Sequence, residues 1–195
     1  MISDFSRYDN DDLKEALRVL QEGGVILYPT DTVWGIGCDA TNEQAVKRIY
    51  QIKQREDSKS MLCLLDNAGR LEQWVEQVPS MAWDLIELAT KPLTIIYPKA
   101  KGVAANLVAE DGSLGIRITN ELFSKALVER LRRPLVSTSA NISGNKTPQN
   151  FSDISPEIRQ AVDYVVKFRR ADNIHHSPSS IIKLGVNNEI EIIRK

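Results

Sequence analysis

Apolar residues along this chain change repeatedly between helical and extended spacing. The first run predicts a helix that Asn10 or Asp9 caps and Gly23-Gly24 ends. Its apolar face is formed by Leu13, Ala16, Leu17 and Leu20. Positions 25–28 follow as a short buried strand that Pro29 closes. The chain therefore opens with a helix followed by a strand.

The same change of period continues to the C-terminus. Further strands are predicted at 61–65, 93–97, 114–118, 135–138 and 164–168, with a final hairpin of 181–184 and 190–193 across Asn187-Asn188. One helix is predicted to follow a capping box at Thr41-Asn42-Glu43-Gln44, and another is predicted to start at Ser155-Pro156. Three more helices are predicted near 68–76, 80–89 and 121–131. Alternating strands and helices indicate an α/β fold with a mixed sheet and flanking helices.

Composition narrows the class of protein. With 195 residues, 42% of them apolar and 26% charged, the chain is predicted to fold as a single domain over 1–195. The 25 Lys and Arg against 26 Asp and Glu give a net charge of -1, which argues against binding a nucleic acid or a membrane by bulk charge. No apolar run approaches the roughly 20 residues of a membrane span, and the acidic N-terminus is unlike a secretory signal. We therefore expect a cytoplasmic protein that does not bind membranes.

Cysteine and histidine usage gives no sign of a metal or redox centre. Cys38 and Cys63 are the only cysteines, and they form no C-x-x-C pair. Together with the adjacent His175 and His176 they do not make a credible zinc site. We expect no dedicated metal site and no redox cofactor.

The first segment with candidate chemistry is 28–37, which directly follows the predicted strand at 25–28. In an extended backbone the hydroxyl groups of Thr30 and Thr32 would share a face, and Gly35 and Gly37 would allow close backbone approach. The segment lacks the Gly-Lys-Ser/Thr ending of a P-loop. A ligand-binding loop and an ordinary turn rich in threonine and glycine both fit this pattern.

Two cations, Lys53 and Arg55, stand at the end of the helix predicted after residue 44. They can converge only if the helix ends there, because residues two apart on a helix do not face each other. A convergent pair suits a triphosphate, with the arginine gripping oxygens in a fork. Cations in a last helical turn also complement the helix dipole, so the pair alone leaves both interpretations open.

Polar residues continue beyond the apolar strand at 135–138. Ser137, Ser139 and Asn141 alternate, so an extended backbone would aim all three side chains the same way. A ligand site and a loop of internal hydrogen bonds would satisfy these groups equally well.

Three more polar positions are weak signals individually. Arg117 lies in the predicted strand at 114–118, opposite Ile116 and Ile118, where it can face solvent or bind a carboxylate. Ser179 precedes the last hairpin, and Arg194 stands near the end of the chain.

Taken in order, these features resemble the YrdC-like family of threonylcarbamoyl-AMP synthases over about 24–194. The most specific parts are the segment 28–37, the Lys53-x-Arg55 pair, and Ser139-x-Asn141 followed by Ser143-Gly144. The resemblance implies a single-domain, twisted mixed sheet with flanking helices and a basic concave face. It also implies a nucleotidyltransferase that converts L-threonine, bicarbonate and ATP to threonylcarbamoyl-AMP and pyrophosphate, after which partner enzymes modify adenosine 37 of tRNA.

The resemblance also implies roles for individual residues. Lys53 and Arg55 would be catalytic and hold the ATP phosphates, with ATP bound further by Ser139, Asn141 and Arg194. Threonine would be bound by Thr32, Arg117, Ser137 and Ser179, with Arg117 on its carboxylate. Magnesium would arrive with ATP, because the sequence shows no cluster of carboxylates for a dedicated site.

Several positions depart from the family pattern and put loop geometry in doubt. Glu56 and Thr119 stand where many members carry proline, Lys91-Pro92 replaces a Pro-Gly, and 59–61 reads Lys-Ser-Met. The alternative function is a non-catalytic RNA-binding module of the same fold. It draws on local charge, because 47–59 holds five cations and two anions and 117–146 holds six and two. A sugar-phosphate enzyme would need an acidic metal-binding pair that the sequence lacks.

Overall fold

Nine strands form one mixed sheet in the part of the chain described by the structure, a computed structural model covering 7–54, 61–172, 177–187 and 189–195. In chain order they are β1 Ile26–Tyr28, β2 Gly35–Gly37, β3 Leu62–Leu65, β4 Leu93–Tyr97, β5 Leu114–Ile118, β6 Leu135–Ser139, β7 Tyr164–Val165, β8 Ser180–Leu184 and β9 Ile190–Arg194. Their order across the sheet is β7-β1-β2-β6-β3-β5-β4-β8-β9.

Parallel and antiparallel pairs are mixed in this sheet. The strand pairs β1–β7, β3–β5 and β4–β8 are parallel, whereas the other neighbours run antiparallel. The predicted mixed sheet is therefore confirmed, and so is the terminal hairpin of β8 and β9.

The described residues also form six α-helices: α1 Asn10–Gln21, α2 Glu43–Lys53, α3 Leu71–Trp74, α4 Met81–Leu88, α5 Leu122–Leu131 and α6 Pro156–Ala161. Asp9 caps α1 and Ser155 caps α6, as the sequence predicts. None of these helices could cross a bilayer, since the longest has 12 residues where about 20 are required.

Helices pack on both faces of the sheet and divide the core in two. On one face α1 and α5 pack their apolar residues, such as Leu13 and Phe123, against β1, β3 and β6. On the other face α2, α3 and α4 cover a larger core that includes Ile95, Ile116 and Val136. Side chains of β5, β4 and β8 on the first face line open cavities instead, which leaves that end of the sheet available for a ligand.

Two predicted elements are corrected by their local contacts. The capping box at 41–44 does not form, because the Thr41 hydroxyl donates to Asp39 and the Asn42 side chain caps α2 instead. The segment 28–37 contains a strand, β2, that was not predicted. The strand contains two glycines, which sequence patterns associate with turns. Glycine is required at position 37, because a Cβ there would lie 2.4 Å from the Val136 carbonyl oxygen.

Two other predicted elements are shorter than expected. The helix expected at 68–76 is a 3-10 turn, Ala68–Arg70, followed by the single turn α3. The strand expected at 164–168 ends at Val165, because the backbone N–H groups of Lys167 and Phe168 donate to the Asp12 carboxylate rather than to a neighbouring strand.

Asp12 joins the N-terminal helix to this segment through a buried carboxylate. Its side chain is 2% exposed and also accepts a hydrogen bond of 2.7 Å from the Tyr164 hydroxyl. Burial, together with the Asp12 carboxylate, raises the pKa of Tyr164. The acid therefore stabilises the position of α1 against β7.

Replacing Asp12 by alanine should destabilise the fold, because three part-buried donors, of Tyr164, Lys167 and Phe168, would lose their buried acceptor. We expect a loss of about 2–3 kcal/mol in the free energy of unfolding, measured by urea denaturation. The neighbouring Asp11→Ala is the control, because Asp11 is exposed and pairs only at the surface with Lys14. Equal losses for the two variants would contradict this role of Asp12.

Candidate active site

A cavity of about 310 Å³ lies on the open part of the sheet, where β2, β5 and β6 approach the segment before β8. Six of the predicted site residues line it: Thr32, Arg117, Ser137, Ser139, Ser179 and Arg194. They come from distant parts of the sequence, so the tertiary fold brings them together.

Thr32 reaches the cavity from a tight turn between β1 and β2. The Thr30 hydroxyl donates to the Val33 carbonyl at 2.7 Å and accepts the Thr32 backbone N–H at 3.0 Å. The two hydroxyl oxygens are 3.1 Å apart. Because the Thr30 proton is already used on Val33, the Thr32 hydroxyl must be the donor between them. Its lone pairs are then directed to other donors, such as an ammonium group.

Arg117 is the central cation of the cavity, although its side chain is only 3% exposed. Its Nη2 lies 3.0 Å from Oδ1 of Asp31, in the turn that carries Thr32. The buried Nε of Arg117 has no hydrogen-bond partner among the described residues. Desolvation by burial lowers the pKa of Arg117. An arginine held this way presents a fixed, weakly solvated cation to a carboxylate.

Tyr28 and Ser137 form the floor beneath this arginine. The Tyr28 hydroxyl donates to the Val136 carbonyl at 3.2 Å, and burial raises the pKa of Tyr28 above its ordinary value. Tyr28 therefore supports the site as a neutral group.

Ser179 and Arg194 are linked at the other wall. Arg194 donates from Nε to the Ser179 carbonyl at 2.8 Å, and its Nη2 lies 3.4 Å from the Ser179 hydroxyl. That hydroxyl is also 2.9 Å from the buried hydroxyl of Thr94 on β4. The hairpin of β8 and β9 thus fixes a second cation beside Arg117.

Lys53 lies behind the cavity and holds the loop that follows β6. Its side chain is 2% exposed, and Nζ donates to the carbonyl oxygens of Ser139 at 2.5 Å and Asn141 at 2.7 Å. The Lys53 carbonyl in turn accepts the Ser143 backbone N–H at 2.9 Å. The two predicted ATP-binding motifs are therefore in direct contact, through main-chain oxygens.

Asn141 shapes the same loop with its side chain. Its Nδ2 donates to the carbonyl oxygens of Ile142 and Asn145 at 2.9 and 2.8 Å, which fixes the orientation of the amide. The buried Oδ1 has no partner within the described part of the chain. This oxygen is an acceptor that a ligand could use after a small opening of the loop.

Arg55 lies outside the described residues. Helix α2 ends at Lys53, with Gln54 in the left-handed region at φ 48°, and such an end is the condition for Lys53 and Arg55 to converge. Glu56 and the residues 59–60 are likewise outside the described part. At Thr119, where proline is common in the family, the backbone N–H donates to the Leu65 carbonyl at 2.9 Å, a bond that proline could not form.

Cysteines and metal-ligating groups do not contribute to this cavity. Burial raises the pKa of the Cys38 and Cys63 thiols well above the usual range, so neither is a ready nucleophile. No group of three His, Cys, Asp or Glu side chains that could hold a metal ion occurs in the described ranges. His175 and His176 are outside those ranges.

Comparison with known proteins places the chain among relatives of this fold. The Sua5/YciO/YrdC family model, whose description reads telomere recombination, matches residues 18–195. The chain belongs to this family. A threonylcarbamoyl-AMP synthase of Pseudoalteromonas translucida is 32% identical over 185 residues, which are 93% of this chain and 97% of that protein.

Two solved structures of the Sua5/YciO/YrdC family have the same fold. Sua5 of P. abyssi, complexed with L-threonine, matches with a TM-score of 0.82 and 24% identity over 91% of this chain and 52% of the Sua5 chain. YciO of E. coli matches with a TM-score of 0.82 and 23% identity over 96% of this chain and 90% of that one. The predicted YrdC-like fold is confirmed, and this chain spans about half of the Sua5 chain.

Three residues that support this candidate site through contacts with its residues or its turn were not assigned from the sequence: Asp31, Thr94 and Arg169. Asp31 lies inside the 28–37 motif, so an acidic residue directly before Thr32 was the signal that could have found it. Arg169 donates to the Thr30 carbonyl at 3.0 Å and pairs with Asp172 at 2.7 Å. Nothing in its local sequence indicates that contact, because 139 positions separate it from Thr30.

Replacing Lys53 by methionine should loosen the 139–141 loop, because two carbonyl oxygens lose a charged donor. We expect the free energy of unfolding to fall by about 1–3 kcal/mol, measured by urea denaturation, with faster amide hydrogen exchange at 139–143. Lys47→Met on the exposed face of α2 is the matched control and should change neither value. Unchanged amide hydrogen exchange in the Lys53 variant would contradict the role of Lys53 in holding this loop.

Proposed function

We propose that this chain is an L-threonylcarbamoyladenylate synthase, a nucleotidyltransferase that uses L-threonine, bicarbonate and ATP. The observation that carries the proposal is the convergence of Arg117, Arg194 and four hydroxyl groups on one cavity, in a chain 32% identical to a threonylcarbamoyl-AMP synthase. The product serves t6A formation in tRNA, and a separate transferase system would complete that modification.

The cavity suits an amino acid with a side-chain hydroxyl. Arg117 would bind the threonine carboxylate through its guanidinium group, since guanidinium and carboxylate match in a fork. The Thr32 lone pairs would accept from the threonine amine. Ser137 and Ser179 would complete the pocket. Their hydroxyl groups can form hydrogen bonds with the side-chain hydroxyl of threonine, which an apolar substrate side chain could not form.

ATP would occupy the remaining space. The cavity is too small for both substrates, but it continues along the sheet into an open region of about 610 Å³ that shares Met61, Leu62 and Ile181. Arg194 and the Ser139 hydroxyl line the cavity and would donate hydrogen bonds to phosphate oxygens. Asn141 would accept a hydrogen bond from the nucleotide through Oδ1.

Lys53 and Arg55 would add positive charge at the nucleotide side. Lys53 would act mainly by holding the loop that carries Ser139, whereas Arg55 follows directly after the helix end and would reach the phosphates. Magnesium would arrive bound to the ATP phosphates, since the described carboxylates form no metal site.

The chemistry needs no covalent enzyme intermediate. The threonine ammonium group loses a proton, and the resulting amine combines with bicarbonate to give a carbamate and water. A carbamate oxygen then attacks the α-phosphorus, the bond to the β-phosphate oxygen breaks, and pyrophosphate leaves. Fixed cations around the cavity would neutralise the transferring phosphoryl group, so catalysis would consist of positioning and charge stabilisation.

The non-catalytic RNA-binding alternative is less well supported. The named relatives are synthases, and the cations here line a small cavity rather than a broad surface. A basic concave face that receives tRNA, the downstream transferase system and a cytoplasmic location stay predictions from the family resemblance.

Purified protein should release pyrophosphate from ATP only when both L-threonine and bicarbonate are present. Arg117→Met should lower kcat/KM for threonine by about ten- to a hundredfold, because it removes a charged hydrogen-bond donor. Arg130→Met, at an exposed position on α5, is the control, and circular dichroism checks the fold of both variants. Pyrophosphate release that is indifferent to threonine would overturn the proposal.

Variants at the threonine-binding residues and at the ATP-binding residues should change KM for different substrates. Thr32→Val should raise KM for threonine about tenfold and leave KM for ATP within about twofold, while Ser139→Ala should do the reverse. Ser152→Ala, on the exposed surface, should change neither constant. If both site variants altered KM for the same substrate, the assignment of the two sides would be wrong.

A further inference from the structure

A second cavity of about 360 Å³ lies on the opposite face of the sheet from the candidate active site. Its walls are side chains of α4, β4 and β5, all of them apolar apart from the tyrosine hydroxyl: Ile86, Leu93, Ile95, Tyr97, Ile116 and Ile118. A cavity of this size that combines apolar walls with polar groups is typical of a small-molecule site.

The mouth of this cavity carries charges of both signs. Asp31 stands on one side, and the connection between α4 and β4 contributes Thr90 and Lys91. Asn120 adds an amide that can donate and accept. An anion, a cation and an apolar interior are together complementary to a zwitterion with an apolar body.

We propose that this second cavity binds a free apolar α-amino acid. Its ammonium group would share the Asp31 carboxylate, its carboxylate would meet Lys91, and its side chain would fill the apolar interior. Ile86, Ile95 and Ile116 offer no hydrogen-bonding side-chain atoms, so an apolar ligand side chain would fit against them better than a polar one. The site is therefore distinct in specificity from the one that holds Arg117.

Asp31 would connect the two sides of the sheet. Its Oδ1 lies 3.0 Å from Nη2 of Arg117, and Thr32, the next residue, lines the active-site cavity. An ammonium group beside Asp31 would weaken the hold of that carboxylate on Arg117. The guanidinium would then be more available to a substrate carboxylate, so occupation of the second cavity should tighten threonine binding. The binding site depends on the cavity alone, whereas this coupling rests on the proposed function.

Calorimetry with L-leucine and L-phenylalanine as probes tests the site without any turnover. Wild-type protein should bind both, and 3-methylbutylamine and 4-methylpentanoate, which each keep one charge of leucine, should bind about tenfold more weakly. Lys91→Glu should weaken leucine binding about tenfold, and Ala89→Trp should block the entrance. Both positions are exposed, so the fold should be retained, and Lys101→Glu is the matched control.

No binding of either amino acid at millimolar concentration would overturn the site. So would leucine binding that Lys91→Glu and Ala89→Trp leave unchanged, or leucine that simply competes with threonine. The coupling is tested by the threonine dissociation constant with and without saturating leucine, where about a fivefold decrease is expected in wild type and none in Lys91→Glu. An unchanged constant in wild type would refute the coupling, even if leucine binds.

Discussion

The ion pair between Arg117 and Asp31 connects most of the functional features of this protein. A guanidinium with 3% of its side chain exposed needs a counter-charge, and Asp31 supplies it from the turn between β1 and β2. The pair thereby fixes that turn against β5 and places Thr32 at the cavity. Arg169 secures the same turn from the other side through the Thr30 carbonyl. Arg117 lines the candidate active site and Asp31 lines the cavity behind the sheet, so the two cavities meet at this contact.

Buried cations also organise the loop after β6. Lys53 donates to two carbonyl oxygens there, and Asn141 donates to two more, so the loop is held by main-chain acceptors from within. Such a loop can present Ser139 and backbone groups to a ligand at little further cost in entropy. The functional loops therefore owe their shape to polar groups that the core cannot leave unpaired.

Much of the fold could be predicted from periodicity, because β4 and β5 are regular apolar strands and α1 has a clear cap and stop. The prediction failed where a side chain competed with the expected pattern. Asn42 capped α2 in place of Thr41, Asp12 took the N–H groups that would have prolonged β7, and β2 was hidden among glycines. Six polar candidates did converge on one cavity, yet Thr94 and Arg169 act through contacts that no local pattern reveals.

The sequence by itself determined the alternation of elements, the neutral overall charge and the family, since these depend on residue types and short spacings. Tertiary structure decided which polar groups meet. It placed Arg117 against Asp31, used the Lys53 ammonium to hold a loop, and left a second cavity behind the sheet. These outcomes depend on the pairing of strands that are far apart in the sequence, such as β2 and β6. A charged group that this pairing buries is stable only with a partner, and the partner can come from a distant part of the chain.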